Sequence, residues 1–153
     1  MKGWLLALPW ALTPAWAVAC SFGGLQHDVQ FPPANTHLES QQVISVTNWF
    51  VEQRNPSRAT GGVYRADIYA RAIKGDATSL KKANLRLAGI ADLLRTLGNT
   101  TSFEVHQHVD EYEHKSIRHP ERLDILNASV QPACAKTGSC CKWSEGPVLL
   151  PKQ

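Results

Sequence analysis

The chain has 153 residues, with 16 Lys and Arg against 13 Asp and Glu, six His and four Cys. That length suits one domain with enough chain to bury a core. A formal charge of +3 with no basic stripe excludes a polyanion-binding surface, so nucleic acid is not a partner. With 43% apolar and 19% charged residues the composition is that of a folded protein, not a disordered one.

The first 19 residues carry Lys2, an apolar stretch from Trp4 to Trp16 broken by Pro9 and Pro14, and a small-residue exit at Ala17-Val18-Ala19. This is the plan of a secretory signal peptide cleaved after Ala19. The stretch is shorter than the roughly 20 residues that cross a bilayer, and no later segment of the mature chain is apolar enough to span. Cys20 directly follows. It can carry a lipid anchor, although the lipoprotein box usually has Leu where Ala17 stands. It can instead join Cys134, Cys140 and Cys141 in two disulfides, as the even count favours in an exported protein. A bridge between the neighbours Cys140 and Cys141 is strained, so Cys134 is expected to pair with one of them and Cys20 with the other. Cysteine-bound zinc is disfavoured, because no CxxC pair is present.

Residues 20–36 read as a loop entering a short strand at Asp28 to Phe31, stopped by Pro32-Pro33. From Leu38 to Gln53 the period is helical, with Val43, Val46, Trp49 and Phe50 on one face and Asn35 or Thr36 as the cap. A loop through Asn55-Pro56-Ser57 and Gly61-Gly62 leads to strict alternation over 64–72, which predicts a half-buried strand with Tyr64, Ala66, Ile68, Ala70 and Ala72 inward. After Gly75-Asp76 a second helix spans Ser79 to Leu97. Its apolar face carries Leu80, Ala83, Leu87, Ile90, Ala91, Leu94 and Leu97, and Gly98-Asn99 ends it. Phe103, Val105 and Val109 predict a third strand, and Leu123 to Val130 a fourth. The predicted class is α+β, an α/β sandwich of order β-α-β-α-β-β: a small mixed sheet with two helices packed on one face. The last two strands are expected to form a long antiparallel hairpin. The domains are 1–19 as signal peptide, 20–131 as the folded domain, and 132–153 as a loop-like tail with cysteines.

Over residues 28–130 the chain resembles the OmpA-like C-terminal domain of Gram-negative envelope proteins. Val29-x-Phe31 followed by Leu38 is similar to the family's opening strand and first helix. Arg86-Leu87-Ala88-Gly89-Ile90-Ala91-Asp92-Leu93-Leu94 is similar to its Arg-Ala-x-x-Val-Ala-x-x-Leu helix, with Gly98 at the helix end. Glu121-Arg122-Leu123-Asp124-Ile125 is similar to its Arg-Arg-Val-Glu-Ile last strand. The resemblance implies a non-catalytic domain in the periplasm of a Gram-negative bacterium, attached to the outer membrane or free of it. It implies binding of the diaminopimelate of a peptidoglycan stem peptide, with an Asp taking the ammonium and an Arg the carboxylate. Arg86 matches that arginine, and Asp76 is the nearest carboxylate for the other role.

The family's Gly-His-x-Asp and Gly-x-Gly motifs are missing. Ile68 to Ile73 and Gln107-His108-Val109 stand in their places. The fold with its cell-wall site lost, acting as a protein-interaction or accessory module of an envelope complex, is therefore a second reading. A third is a periplasmic metal protein. His106 and His108 lie on one strand face, and with His114 or His119 they make a three-ligand set for zinc or copper. The same histidines could act as a charge switch near pH 6. No nucleophile elbow, phosphate loop or His-Glu-x-x-His occurs, Asp110, Glu111 and Glu113 sit in a polar stretch, and Cys134-x5-Cys140 is no redox motif. The chain is therefore read as neither an enzyme nor a cofactor protein. Its partner is peptidoglycan or another envelope protein.

Overall fold

The computed structural model describes residues 24–57, 60–98 and 102–140. The signal-peptide reading of residues 1–19, Cys20 and Cys141 lie outside the described residues. In chain order the elements are β1 (Gln26–Gln30), α1 (Ser40–Arg54), β2 (Val63–Ile73), α2 (Ala77–Gly98) and β3 (Glu104–Tyr112). Two 3-10 turns, His114–Ser116 and Pro120–Asp124, lead into β4 (Ile125–Pro132) and a short helix, α3 (Ala133–Thr137). The class is α+β, as the sequence predicts.

Four of the five residues expected inward on β2 are buried, Ala66, Ile68, Ala70 and Ala72; Tyr64 is only half-buried and its ring lies 5.6 Å from Lys136 Nζ, outside the core. The small side chains let α2 approach the sheet, and its Ala83, Leu87, Ile90, Ala91 and Leu94 fill the space between. Val46, Trp49 and Phe50 of α1 and Val29 and Phe31 at the β1 end complete the core. The Phe50 ring meets Phe103 edge-on at 5.2 Å. Both long helices therefore cover one face of the sheet, and the other face carries polar side chains such as Arg65, Asp67, Tyr69 and Arg71.

The expected hairpin of the last two strands does not form. The sheet order is β1-β4-β2-β3, so β4 inserts between β1 and β2, antiparallel to both, while β3 lies parallel to β2 at the edge. The physical reason is visible in the strands themselves. Every second residue of β4 is buried, including Leu126, Ala128 and Val130, which suits a central strand. By contrast β3 is rich in Glu, His and Asp, the composition that discourages pairing at an open edge. Leu123 and Asp124, expected as the start of β4, instead belong to the 3-10 turn Pro120–Asp124.

Two local expectations are corrected. Neither Asn35 nor Thr36 caps α1; the cap is Glu39, whose N–H donates to Gln42 Oε1 at 2.8 Å. The tail is not all loop, since α3 follows β4 and closes on Gly138 at φ +64°. The Cys134–Cys140 disulfide ties that turn together, one of the two pairings expected for Cys134. No helix among the described residues is long and apolar enough to cross a membrane.

Candidate functional site

The candidate site forms where β2 gives way to α2. Gly75 adopts φ +77°, a left-handed conformation that favours glycine, and turns the chain so that Asp76 sits at the helix entrance. Asp76 Oδ1 accepts from the N–H groups of Thr78 (2.9 Å) and Ser79 (3.1 Å), the bonds of an N-terminal cap. Ser79 Oγ in turn accepts from Ile73 N–H at 2.9 Å, which fastens the helix start to the strand end. Asp76 Oδ2 has no hydrogen-bond partner among the described residues.

Beside it opens a cleft of about 480 Å³. One wall is the loop after β1, with Pro33, Ala34 and Thr36; the other is the first two turns of α2, with Asp76, Lys81, Lys82 and Leu85. Leu123 closes one end. The cleft thus presents a carboxylate and two ammonium groups over a largely apolar floor.

Arg86 does not face this cleft. Its side chain is 0% exposed, and its guanidinium lies 4.8 Å over the Phe31 ring. All five of its N–H donors have acceptors. Nε donates to Asn35 O (2.8 Å), Nη1 to Asp124 Oδ1 (2.8 Å) and Leu123 O (3.3 Å), and Nη2 to Pro32 O (2.9 Å) and Pro33 O (3.4 Å). The resemblance implies that Arg86 takes a ligand carboxylate directly, and the geometry corrects that: nothing of the fork is free. Arg86 positions the cleft wall instead, by holding three carbonyls of the 32–35 loop and the turn before β4.

Lys82, not singled out by the sequence reading, reaches the rim. Its Nζ donates to Pro33 O at 3.1 Å and to Asp124 Oδ1 at 3.2 Å, which leaves one of its three N–H donors. Lys82 and Arg86 are one helical turn apart, so one carboxylate, Asp124, serves both. The signal for Arg86 was present in the sequence. It falls in the stripe of Ala83, Leu87, Ile90 and Leu94, at a core position of the helix.

The histidines of the metal reading are not brought into one site. On the polar sheet face Asp67, 5% exposed, has its Oδ1 3.8 Å from His106 Nδ1 and 3.6 Å from His108 Nε2. The His108 ring stacks on Tyr69 at 4.6 Å, and His106 Nε2 lies 3.3 Å from Glu104. His119 sits 3.0 Å from Glu121, and His114 lies in the first 3-10 turn. Among the described residues no group of three or more His, Cys, Asp or Glu is arranged to hold a metal ion.

No protein-family model matches the chain, and no curated protein matches it. Among solved structures it is similar to the OmpA-like domain of FopA1 from Francisella tularensis subsp. tularensis SCHU S4. The TM-score is 0.47 and the identity 16%, over 70% of this chain and 72% of that one.

Proposed function

We propose that the protein is a non-catalytic cell-envelope domain that binds the stem peptide of peptidoglycan in the cleft between the 32–36 loop and α2. The observation that carries this reading is the gathering of opposite charges along one wall of the cleft: Asp76 with a free carboxylate oxygen at the start of α2, and Lys81 and Lys82 further along the same helix. A diaminopimelate side chain carries an ammonium and a carboxylate on one carbon. Asp76 takes the first and Lys82, with Lys81, takes the second, the role that the buried Arg86 cannot fill. Arg86 fixes the loop that forms the opposite wall.

The test is co-sedimentation of the protein with purified peptidoglycan sacculi at physiological salt. Asp76→Asn and Lys82→Met are suited to it. Asn caps a helix as well as Asp, and Lys82→Met leaves the Arg86–Asp124 pair in place. Pelleting of the wild type that either variant abolishes supports the reading. No pelleting of the wild type, or equal pelleting of both variants, refutes it.

A second reading is an interaction module of an envelope complex. It is favoured by Ile44 and Val51, which lie two turns apart on α1 and are 54% and 46% exposed. Its mark is a partner captured from envelope extracts by the wild type and lost with Ile44→Glu.

A further inference from the structure

On the other side of Leu123 lies a second cavity, of about 290 Å³, between the ends of β2 and β3 and the 113–124 connection. Arg71, Arg118, Arg122 and His119 line it, with Tyr112 and Ile117 as its apolar wall. Like charges gather in one hollow only at a cost, unless an anion neutralises them. Among the described residues only Glu121 does so, and only in part, through His119. Arg118 and Arg122 form no ion pair among the described residues, and Arg71 donates only to the Arg122 carbonyl, at 3.3 Å. Of the carboxylates around the cavity, only Glu121 pairs with a lining residue, and none forms an ion pair with the three arginines. Glu113 pairs with Lys74 at 3.0 Å, Glu121 lies 3.0 Å from His119, and Asp110 is across the ladder from Arg71 without an ion pair to it.

We propose that this cavity is an anion site that takes a phosphate monoester or diester group. Three guanidinium groups offer more donors than the two oxygens of a carboxylate can use, whereas a phosphate monoester presents three terminal oxygens and up to two negative charges, and a diester keeps its ester oxygens as further acceptors. Tyr112, 39% exposed, and Ile117 give a face on which the organic part of the ligand can lie. Arg71 is the anchored member, since the Arg122 carbonyl holds it. Arg118 and Arg122 are exposed and close over the anion from the turn. The site is independent of the cleft at Asp76, and Leu123 forms part of the wall of each.

The phosphate can belong to a soluble ester or to a lipid headgroup, and the experiment separates the two. Inorganic phosphate is titrated into the isotope-labelled protein at physiological salt, with amide shifts recorded by NMR. The expected result is saturable shifts at residues 116–119 and 122. Arg118→Gln should weaken binding at least about tenfold, and Arg118→Gln with Arg122→Gln should abolish it. Both side chains are exposed, so an unchanged thermal melt certifies the fold of each variant. In a second arm, phosphatidylcholine vesicles with and without phosphatidylglycerol are sedimented with the protein. Anionic vesicles bound by the wild type and released by the double variant place the phosphate in a lipid headgroup. Saturable phosphate binding without vesicle binding places it in a soluble ester. Absence of saturable shifts, or equal affinity in the double variant, overturns the proposal.

Discussion

At the scale of single residues, Asp124 and His27 are where charge and burial meet most sharply. Asp124 is 8% exposed, and one of its oxygens accepts from both Arg86 and Lys82. A buried ion pair adds little net stability over an apolar pair, but losing one partner strands the other. Asp124→Asn leaves the Arg86 charge enclosed without a counterion and should cost about 3–5 kcal/mol in urea denaturation. A loss below about 1 kcal/mol would mean that the loop carbonyls alone balance Arg86. His27 stacks on Trp49 at 5.2 Å and lies 3.0 Å from Ser45 Oγ. Burial lowers its pKa from 6.5, and neighbouring Asp28 only partly opposes this. The folded protein therefore holds His27 neutral where the unfolded chain would take a proton. Its contribution is complete above about pH 6.5 and is lost as pH falls through the lowered folded value. Tm should fall between about pH 7.5 and 5, and more steeply in the wild type than in His27→Gln. Parallel slopes would remove His27 as the cause. Glu121, whose carboxyl is also lowered, chiefly by a hydrogen bond to its own backbone, acts only below its ordinary 4.5 and does not confuse that window.

At the scale of elements, α2 shows how one helix serves core, site and sheet. Gly98 ends it where the chain must pass Phe103, and a Cβ there would stand 2.4 Å from Phe103 Cδ1. Gly98→Ala gains at most about 1 kcal/mol of helix propensity but forces the ring to shift, an overpacking cost of about 1–3 kcal/mol. The variant should be less stable than the wild type, and a rise in Tm would show that Phe103 moves freely. The helix was legible in the sequence because its apolar spacing is regular from Leu80 to Leu97. The alternation of β2 was legible for the same reason. The site was only half legible. Asp76 follows a glycine at a helix start, which marks it locally; the stripe marks Arg86 as facing the core, but not its partners Asp124, Pro32 and Asn35, which only the fold brings to it. Charged side chains are almost never fully buried unless paired, and here the pairing partners are far off in sequence.

At the scale of the whole molecule, class and element order could be read from periodicity, but strand adjacency could not. Alternation reports which face of a strand is buried, not which strand lies beside it, so the neighbours β3 and β4 suggested a hairpin that the sheet does not contain. The two cavities have a similar history. Each draws residues from the end of β2 and from the connection before β4, segments that meet only because β4 returns through the middle of the sheet. That return has a consequence in time. Since β1 pairs, among the described residues, only with β4, its partner is made on the order of a hundred residues later. A growing chain can form the β2–α2–β3 unit early, but β1 stays an unpaired ribbon until Ile125–Pro132 arrives. The loop after β1 then gains its last anchor, Asp124, in the same event. Completion of the sheet and closure of both hollows therefore arrive together, once Ile125–Pro132 has been made, and a chain caught before that moment offers neither cleft nor cavity.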